Sequence, residues 1–340
     1  MKRKVQLTGT STYAISLPKQ WAVKHGVTNG NELTVEETAD GALLVKTTEA
    51  EAAPKEIAVR VGDYRGSQEL MRTIFSKYLA GFDIITVVSS EPITQEVHNV
   101  VLSVLNFTIG LEITEEREKE LVLQNFFSHS GFSIKKMIRR AQMIAYDMQR
   151  TAFTAVLENN EKLAESAEER DSEVNKIYFL VRRELELASR DSSLMRSLGL
   201  ESTDGMIYLI LIRNIEHIAD AARRIGRNMG ISPKVMADNR FVKEIEKANQ
   251  ESMELTREAV EAFFSMDVPK AHALIKRCHA LKAEIDEMRK EMFGKILRQK
   301  EVQVLANLRA IALLIQTIID HAAEIAELIV DREALQPEKP

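Results

Sequence analysis

The sequence predicts a multidomain, mainly α protein: a small β domain first, a small α/β domain next, and a C-terminal bundle of two three-helix repeats. Three observations carry this. Only 7 prolines and 14 glycines occur in 340 residues, and between residues 132 and 331 the prolines are Pro233 and Pro269, both at element boundaries. Long helices can therefore run there uninterrupted. Residues 211–225 (LIRNIEHIADAARRI) reappear in outline at 311–325 (IALLIQTIIDHAAEI). The apolar pattern also changes twice, with strand-like alternation up to residue 48, a mixed pattern over 55–126, and helical periodicity from Gly131 onward.

Composition sets bounds. A 45% hydrophobic, 29% charged chain of this length is that of a soluble globular protein with two or three domains. The formal net charge of -5 excludes a general polyanion binder. Charge is uneven, however: Lys2, Arg3, Lys4, Lys19 and Lys24 all precede the first acid, Glu32. A basic start on an acidic body predicts a local anionic partner. Cys278 is the sole cysteine, which excludes an internal disulfide and a Cys-rich zinc site and fits a reduced, cytoplasmic protein. No signal peptide and no run of 18 apolar residues is visible, so no membrane span is expected.

Residues 1–48 read as small β structure. Val5 and Leu7 alternate with polar neighbours, and Ala14, Ile15 and Leu17 form a second apolar run. Pro18 opens a short helix over residues 19–25, which Gly26 ends. Leu33 and Val35 are expected to pair with Leu43 and Val45 across an Asp40-Gly41 turn. So short a segment cannot bury a stable core alone, and pairing with a second copy would supply one. Trp21, the sole tryptophan, reads as a packing residue.

Residues 49–54 read as a linker. Then Ile57, Val59 and Val61 alternate as a strand, 67–79 fits a helix, 84–88 a buried strand, 94–107 a helix, and 111–113 and 121–123 two further strands. This β-α-β-α-β-β order over residues 55–126 predicts a small α/β domain.

The bundle spans 131–331, with repeats of about 131–229 and 237–331. Helices are expected at 133–159, 162–189, 203–229, 237–266, 268–297 and 301–331. In the internal comparison, Ile215, Ile218 and Ile225 fall on Ile315, Ile318 and Ile325, and Asp220 falls on Asp320. Glu216 and Asp220 lie one helical turn apart, as do Asp171 and Asn175 on the preceding helix. Two acids at that spacing repel by ~0.2–0.5 kcal/mol in an isolated helix. Four such oxygen-bearing side chains on neighbouring helices suit a hard cation, while a solvated charged face beside Arg213, Arg223 and Arg224 is the plainer reading. In the second repeat Gln316 replaces the glutamate and Lys282 stands in the place of Asp171, leaving Asp286, Asp320 and Glu324. His217 and His321 read as ordinary surface or packing residues.

Arg213-x-x-Glu216-x-x-x-Asp220, its echo from Asp320 to Glu327, and Asp171-Ser-Glu-Val-Asn175 resemble the signatures of PhoU phosphate-uptake regulators. The resemblance implies two three-helix repeats, and acidic motifs able to hold iron, zinc, magnesium or a metal cluster. It makes Asp171, Asn175, Glu216 and Asp220 the better candidate ligands, and Asp286, Asp320 and Glu324 the poorer ones. It also implies action on phosphate homeostasis through a transporter ATPase or its sensor kinase, without catalysis. Residues 4–21 (KVQLTGTSTYAISLPKQW), with Gly26-Val27 and Gly30-Asn31-Glu32-Leu33, are similar to AbrB/SpoVT/MazE DNA-binding domains. That likeness implies a swapped-hairpin homodimer. Fusion of the two resembles archaeal PhoU-like regulators.

The expected DNA-binding residues are Lys2, Arg3, Lys4 and Lys19, for phosphates, with Thr8, Thr10, Ser11 and Thr12 around Gly9 for phosphates or base edges. A transcriptional regulator whose bundle senses metal, phosphate status or a partner is the first expectation. A signalling adaptor that docks on a transporter or kinase, dimerised by its first 48 residues, is the second. There is no P-loop, nucleophile elbow, zincin motif or dinucleotide fingerprint, so an enzyme is not expected.

Overall fold

The computed structural model describes residues 2–37, 41–47, 54–129, 131–201, 203–228, 239–296 and 302–335. Asp40, Pro233 and most of the expected 49–54 linker lie outside the described residues. The chain divides into two units, Met1–Pro54 and Lys55–Pro340.

In the first unit, β1 (Gln6–Thr8) and β2 (Thr12–Ala14) form an antiparallel hairpin, with Leu7 opposite Tyr13 and Thr8 opposite Thr12. Gly9 starts its turn at φ 71°, where a side chain is disfavoured. The second strand therefore lies earlier than its apolar run: pairing about this turn consumes residues 12–14 and leaves Ile15 and Leu17 beyond it. Helix α1 (Lys19–Lys24) follows Pro18. It closes on Gly26 at φ 63°, with the Val27 amide donating to the Ala22 carbonyl at 2.8 Å. β3 (Leu33–Glu37) and β4 (Leu43–Thr47) pair antiparallel, with Val35 opposite Val45. No described side chain in this unit is buried.

The second unit begins with a mixed four-stranded sheet of β5 (Glu56–Arg60), β6 (Ile84–Val88), β7 (Leu111–Arg117) and β8 (Glu120–Asn125), ordered β5-β6-β8-β7. β5 and β6 are parallel, joined through α2 (Ser67–Leu79), as a crossover requires. Strand alternation puts Val59, Ile85, Val87, Leu121 and Leu123 on one face, in a core with Leu70, Ile74 and Tyr78 of α2 and Val100, Val101 and Val104 of α3 (Gln95–Leu105). Thr94 caps α3 by accepting from the Val97 amide at 3.3 Å. β7 extends beyond residue 113 because its ladder with β8 continues past a bulge between Ile113 and Glu115.

The rest is helical: α4 (Ile134–Glu158), α5 (Glu161–Ala188), α6 (Ser192–Ser197), α7 (Asp204–Gly226), α8 (Arg240–Ser265), α9 (Val268–Ile296) and α10 (Val302–Ala334). The six long helices stand where periodicity places them. The short α6 was not expected. It forms because Asp191 caps it, accepting from the Ser193 and Leu194 amides, and because Met195 and Leu198 join the core. Corresponding hairpins use one device: a left-handed residue (Asn159 at φ 50°, Met266 at φ 54°) and then a side-chain cap (Asn160 on Leu163 N, Asp267 on Lys270 N). Within the bundle α4 packs on α5, α7 and α8, and α10 on α7, α8 and α9. Between the repeats, buried Gln149 donates to Asn249 and Ser252, both at 2.9 Å. α10 is long and apolar enough to cross a membrane; here its Leu305, Ile311, Ile318 and Ile325 lie in the bundle core.

The α/β part docks on α5. Arg183, 1% exposed, donates to the Tyr78 carbonyl and to that of Phe82 at 3.3 Å, and stands 3.5 Å from Asp83. Phe75 meets Phe179 edge-on at 4.5 Å. Gly81, at φ 88°, leaves room for Leu187: a Cβ there would lie 2.3 Å from its side chain. Beside this junction, buried Glu184 accepts from His129, whose Nδ1 is 2.6 Å away.

Candidate functional site

The acidic residues singled out by spacing lie on two helices that pack side by side. α7 carries Glu216 and Asp220, and α5 packs beside it carrying Asp171 and Asn175. Asn175 donates to Asp171 at 2.9 Å. Burial raises the Asp171 carboxyl above its usual range, with Arg223 pulling down and Asp220 pushing up. Burial likewise raises Glu216, with His217 opposing and Asp220 and Asp171 adding to the rise.

Arg223 sits among them. It hydrogen-bonds Asp220 on its own helix, lies 3.5 Å from Asp171 on α5, and lies 3.7 Å from Glu168. Burial works against its charge, yet the bond to Asp220 and the nearby Asp171 and Glu168 hold its pKa above the ordinary arginine value. Arg227 takes the remaining reach of Glu168.

The second repeat is built differently on the same plan. Lys282 of α9 contacts Asp320 of α10 at 2.5 Å. Arg289 lies 3.4 Å from Asp286 and donates to Gln316 at 2.6 Å. Gln316 in turn donates to Asp286 at 2.8 Å and to the Lys282 carbonyl at 3.2 Å, so the glutamine that replaces a glutamate ties the two helices without adding a charge of its own. Glu324 is not in this set. It faces His321 at 3.6 Å.

Between the sites the repeats meet through two histidines that sequence reading left as ordinary. The His217 and His321 rings stack at 5.0 Å, and His321 Nδ1 lies 2.7 Å from Asn214 Oδ1. Burial lowers the His321 pKa, with Glu324 opposing. Spacing on one helix carries no sign of a pair made across the repeat boundary.

Iron, zinc and magnesium need ionised carboxylates with free lone pairs. Among the described residues no three of His, Cys, Asp or Glu are grouped so as to hold a metal ion. Asp171 and Asp220 are already engaged by Asn175 and Arg223, and Asp286 and Asp320 by Gln316 and Lys282. As arranged, these residues do not fit a metal ion.

In the first unit, Thr8 and Thr12 stand opposite each other in the hairpin register, with Thr10 and Ser11 on the connecting turn. Lys2, Arg3 and Lys4 lead into β1, and Lys19 opens α1. All eight side chains are exposed. So are Val5, Leu7, Tyr13, Ile15, Val23, Val35 and Leu43, each more than half exposed.

Residues 138–229 match the PhoU domain, and residues 6–52 match the family described as antidote-toxin recognition MazE, bacterial antitoxin. The chain thus carries a MazE-type domain at its N-terminus and a PhoU domain in its C-terminal bundle. The PhoU match ends with the first repeat. No curated protein matches. Among solved structures, the crystal structure of PhoU from Pseudomonas aeruginosa is similar at 17% identity and a TM-score of 0.47, over 60% of this chain and 96% of that one.

Proposed function

We propose that this protein is a phosphate-linked transcriptional regulator that binds DNA as a dimer through its first 48 residues. Its bundle receives phosphate status or a partner protein in the cytoplasm. One observation carries the DNA half: a unit with a basic start, no buried described side chain and eight exposed large apolar ones. Such a unit is completed by a second copy of itself. Dimerisation then duplicates Lys2, Arg3, Lys4, Lys19 and the Thr8–Thr12 turn. The PhoU match supports the phosphate half.

The test is retention of the chain's own upstream DNA. Binding through roughly six to eight phosphates predicts a slope of log affinity against log salt of roughly -5 to -7. Removal of residues 1–48 abolishes binding. Equal affinity for unrelated DNA at physiological salt overturns the specific regulator.

A second reading is supported by the PhoU match, which points to a phosphate-transport partner for the bundle. In that reading the chain is an adaptor for a phosphate transporter ATPase or sensor kinase, and the first 48 residues only dimerise it. Capture of such a partner without any DNA shift selects it.

A further inference from the structure

We propose that the acidic helix sites of this bundle are filled by the protein's own cations, Arg223 in the first repeat and Lys282 with Arg289 in the second, so that the bundle holds its shape without a metal ion. The inference does not depend on whether the first unit binds DNA.

The placement of Arg223 is that of a bridging cation. It springs from α7 one turn beyond Asp220 and crosses to α5, where Asp171 and Glu168 lie 3.5 and 3.7 Å from its nitrogens. One guanidinium thus joins the carboxylates of two helices that an added cation would join. An arginine keeps its charge at all working pH values and offers five donors in a fixed fork. A metal entering here must evict it. The side chain is only 21% exposed, so eviction leaves a half-buried charge without its partners.

The second repeat reaches the same end from the opposite helix. The residue at the position equivalent to Arg223 is Ala323, and the cation of the third helix is gone. The position equivalent to Asp171 holds Lys282, which crosses from α9 to Asp320 on α10 at 2.5 Å. Arg289, also on α9, takes Asp286 and Gln316. The first repeat therefore pairs an acidic second helix with a basic residue on the third. The second repeat pairs a basic second helix with an acid on the third. Two unlike arrangements that each place a cation between the helices point to a requirement for charge there, met internally both times.

The full chain, purified without chelator or affinity-metal exposure, is examined by elemental analysis and by thermal melts in EDTA and in added Mn²⁺. The wild type is expected to hold far less than one iron, zinc, manganese or magnesium per chain and to melt at the same temperature in both solutions. Arg223→Ala melts lower in EDTA, and Mn²⁺ raises its Tm by roughly 5 °C or more as the metal takes the vacated place. Arg223→Lys keeps a bridging charge and shows no Mn²⁺ response. Lys282→Asp gives the second repeat the carboxylate of the first and gains a Mn²⁺ response of its own. That variant decides the matter if Arg223→Ala fails to fold. Near-stoichiometric metal in the wild type that Asp220→Asn loses overturns the proposal. So does a folded Arg223→Ala as stable as wild type in EDTA and indifferent to Mn²⁺, or, where that variant does not fold, a Lys282→Asp protein with no Mn²⁺ response.

Discussion

The first unit and the helical bundle handle their apolar side chains in opposite ways. In the bundle, Leu211, Ile215, Ile218, Ile311, Ile318 and Ile325 sit in one continuous core at 1% exposure or less. Before Lys55 no described side chain is buried, and among the described residues each hairpin makes a sheet of only two strands. The bundle is a finished object. The N-terminal unit has the pattern of a fold with half its material missing, which is the physical basis for reading it as one half of a dimer.

The sharpest way to break this comparison is Val35→Asp. If Val35 stays as exposed as it is in the single chain, the change is neutral within about 0.5 kcal/mol. If a second copy covers it, a buried charge dissolves the dimer, and DNA affinity falls by roughly 100-fold or more. Sedimentation velocity and gel retardation read the two effects. The bundle itself should be indifferent.

Next in size is Arg183→Ala. It removes the donors to the Tyr78 and Phe82 carbonyls and the guanidinium 3.5 Å from Asp83. The expected loss is about 1–3 kcal/mol, from a buried carbonyl left without its donor, read by urea unfolding, with early proteolytic release of residues 55–126. An unchanged midpoint would show that the α/β part and the bundle do not depend on this contact.

The same junction has a pH dependence. The Glu184 carboxylate holds the His129 imidazole above its ordinary pKa, against the opposing effect of burial. A raised folded pKa means that this contribution is fully present below about pH 6.5 and is lost as pH rises through the higher folded value. His129→Asn should therefore lower Tm at pH 6 and leave it nearly unchanged at pH 9. Equal losses at both values would assign His129 a packing role instead.

The smallest expected effect is at the α4–α5 turn. Asn159 holds a left-handed conformation that alanine resists, so Asn159→Ala should cost about 1 kcal/mol and Asn159→Gly much less. Thermal unfolding distinguishes the two.

Much of the fold is legible because its signals are local. Helical periodicity, the near absence of proline, the Thr94 cap and the Gly26 stop each act within a few residues. The internal likeness of 211–225 and 311–325 carries the repeat. β2 was displaced because an apolar run marks burial and pairing is set by the turn. The short α6 was missed because six residues are too few to show a period. Of the candidate sites, the nearness of Asp171 and Asp220, both within reach of Arg223, follows from their places on adjacent helices. Glu324, one turn further along α10 than Asp320, stands beside His321 and apart from Gln316 and Asp286.

The sequence by itself determined the division of the chain, the six long helices, the two acidic motifs and their inequivalence, since each is written in residue type and period. Only the tertiary structure decided what those motifs touch. Arg223 and Lys282 appear in the chain as charges on a helix face, and a one-dimensional pattern cannot tell a solvated cation from one that crosses to a neighbouring helix. That choice is made by the packing of α5 on α7 and of α9 on α10, which brings each cation within reach of carboxylates on the facing helix.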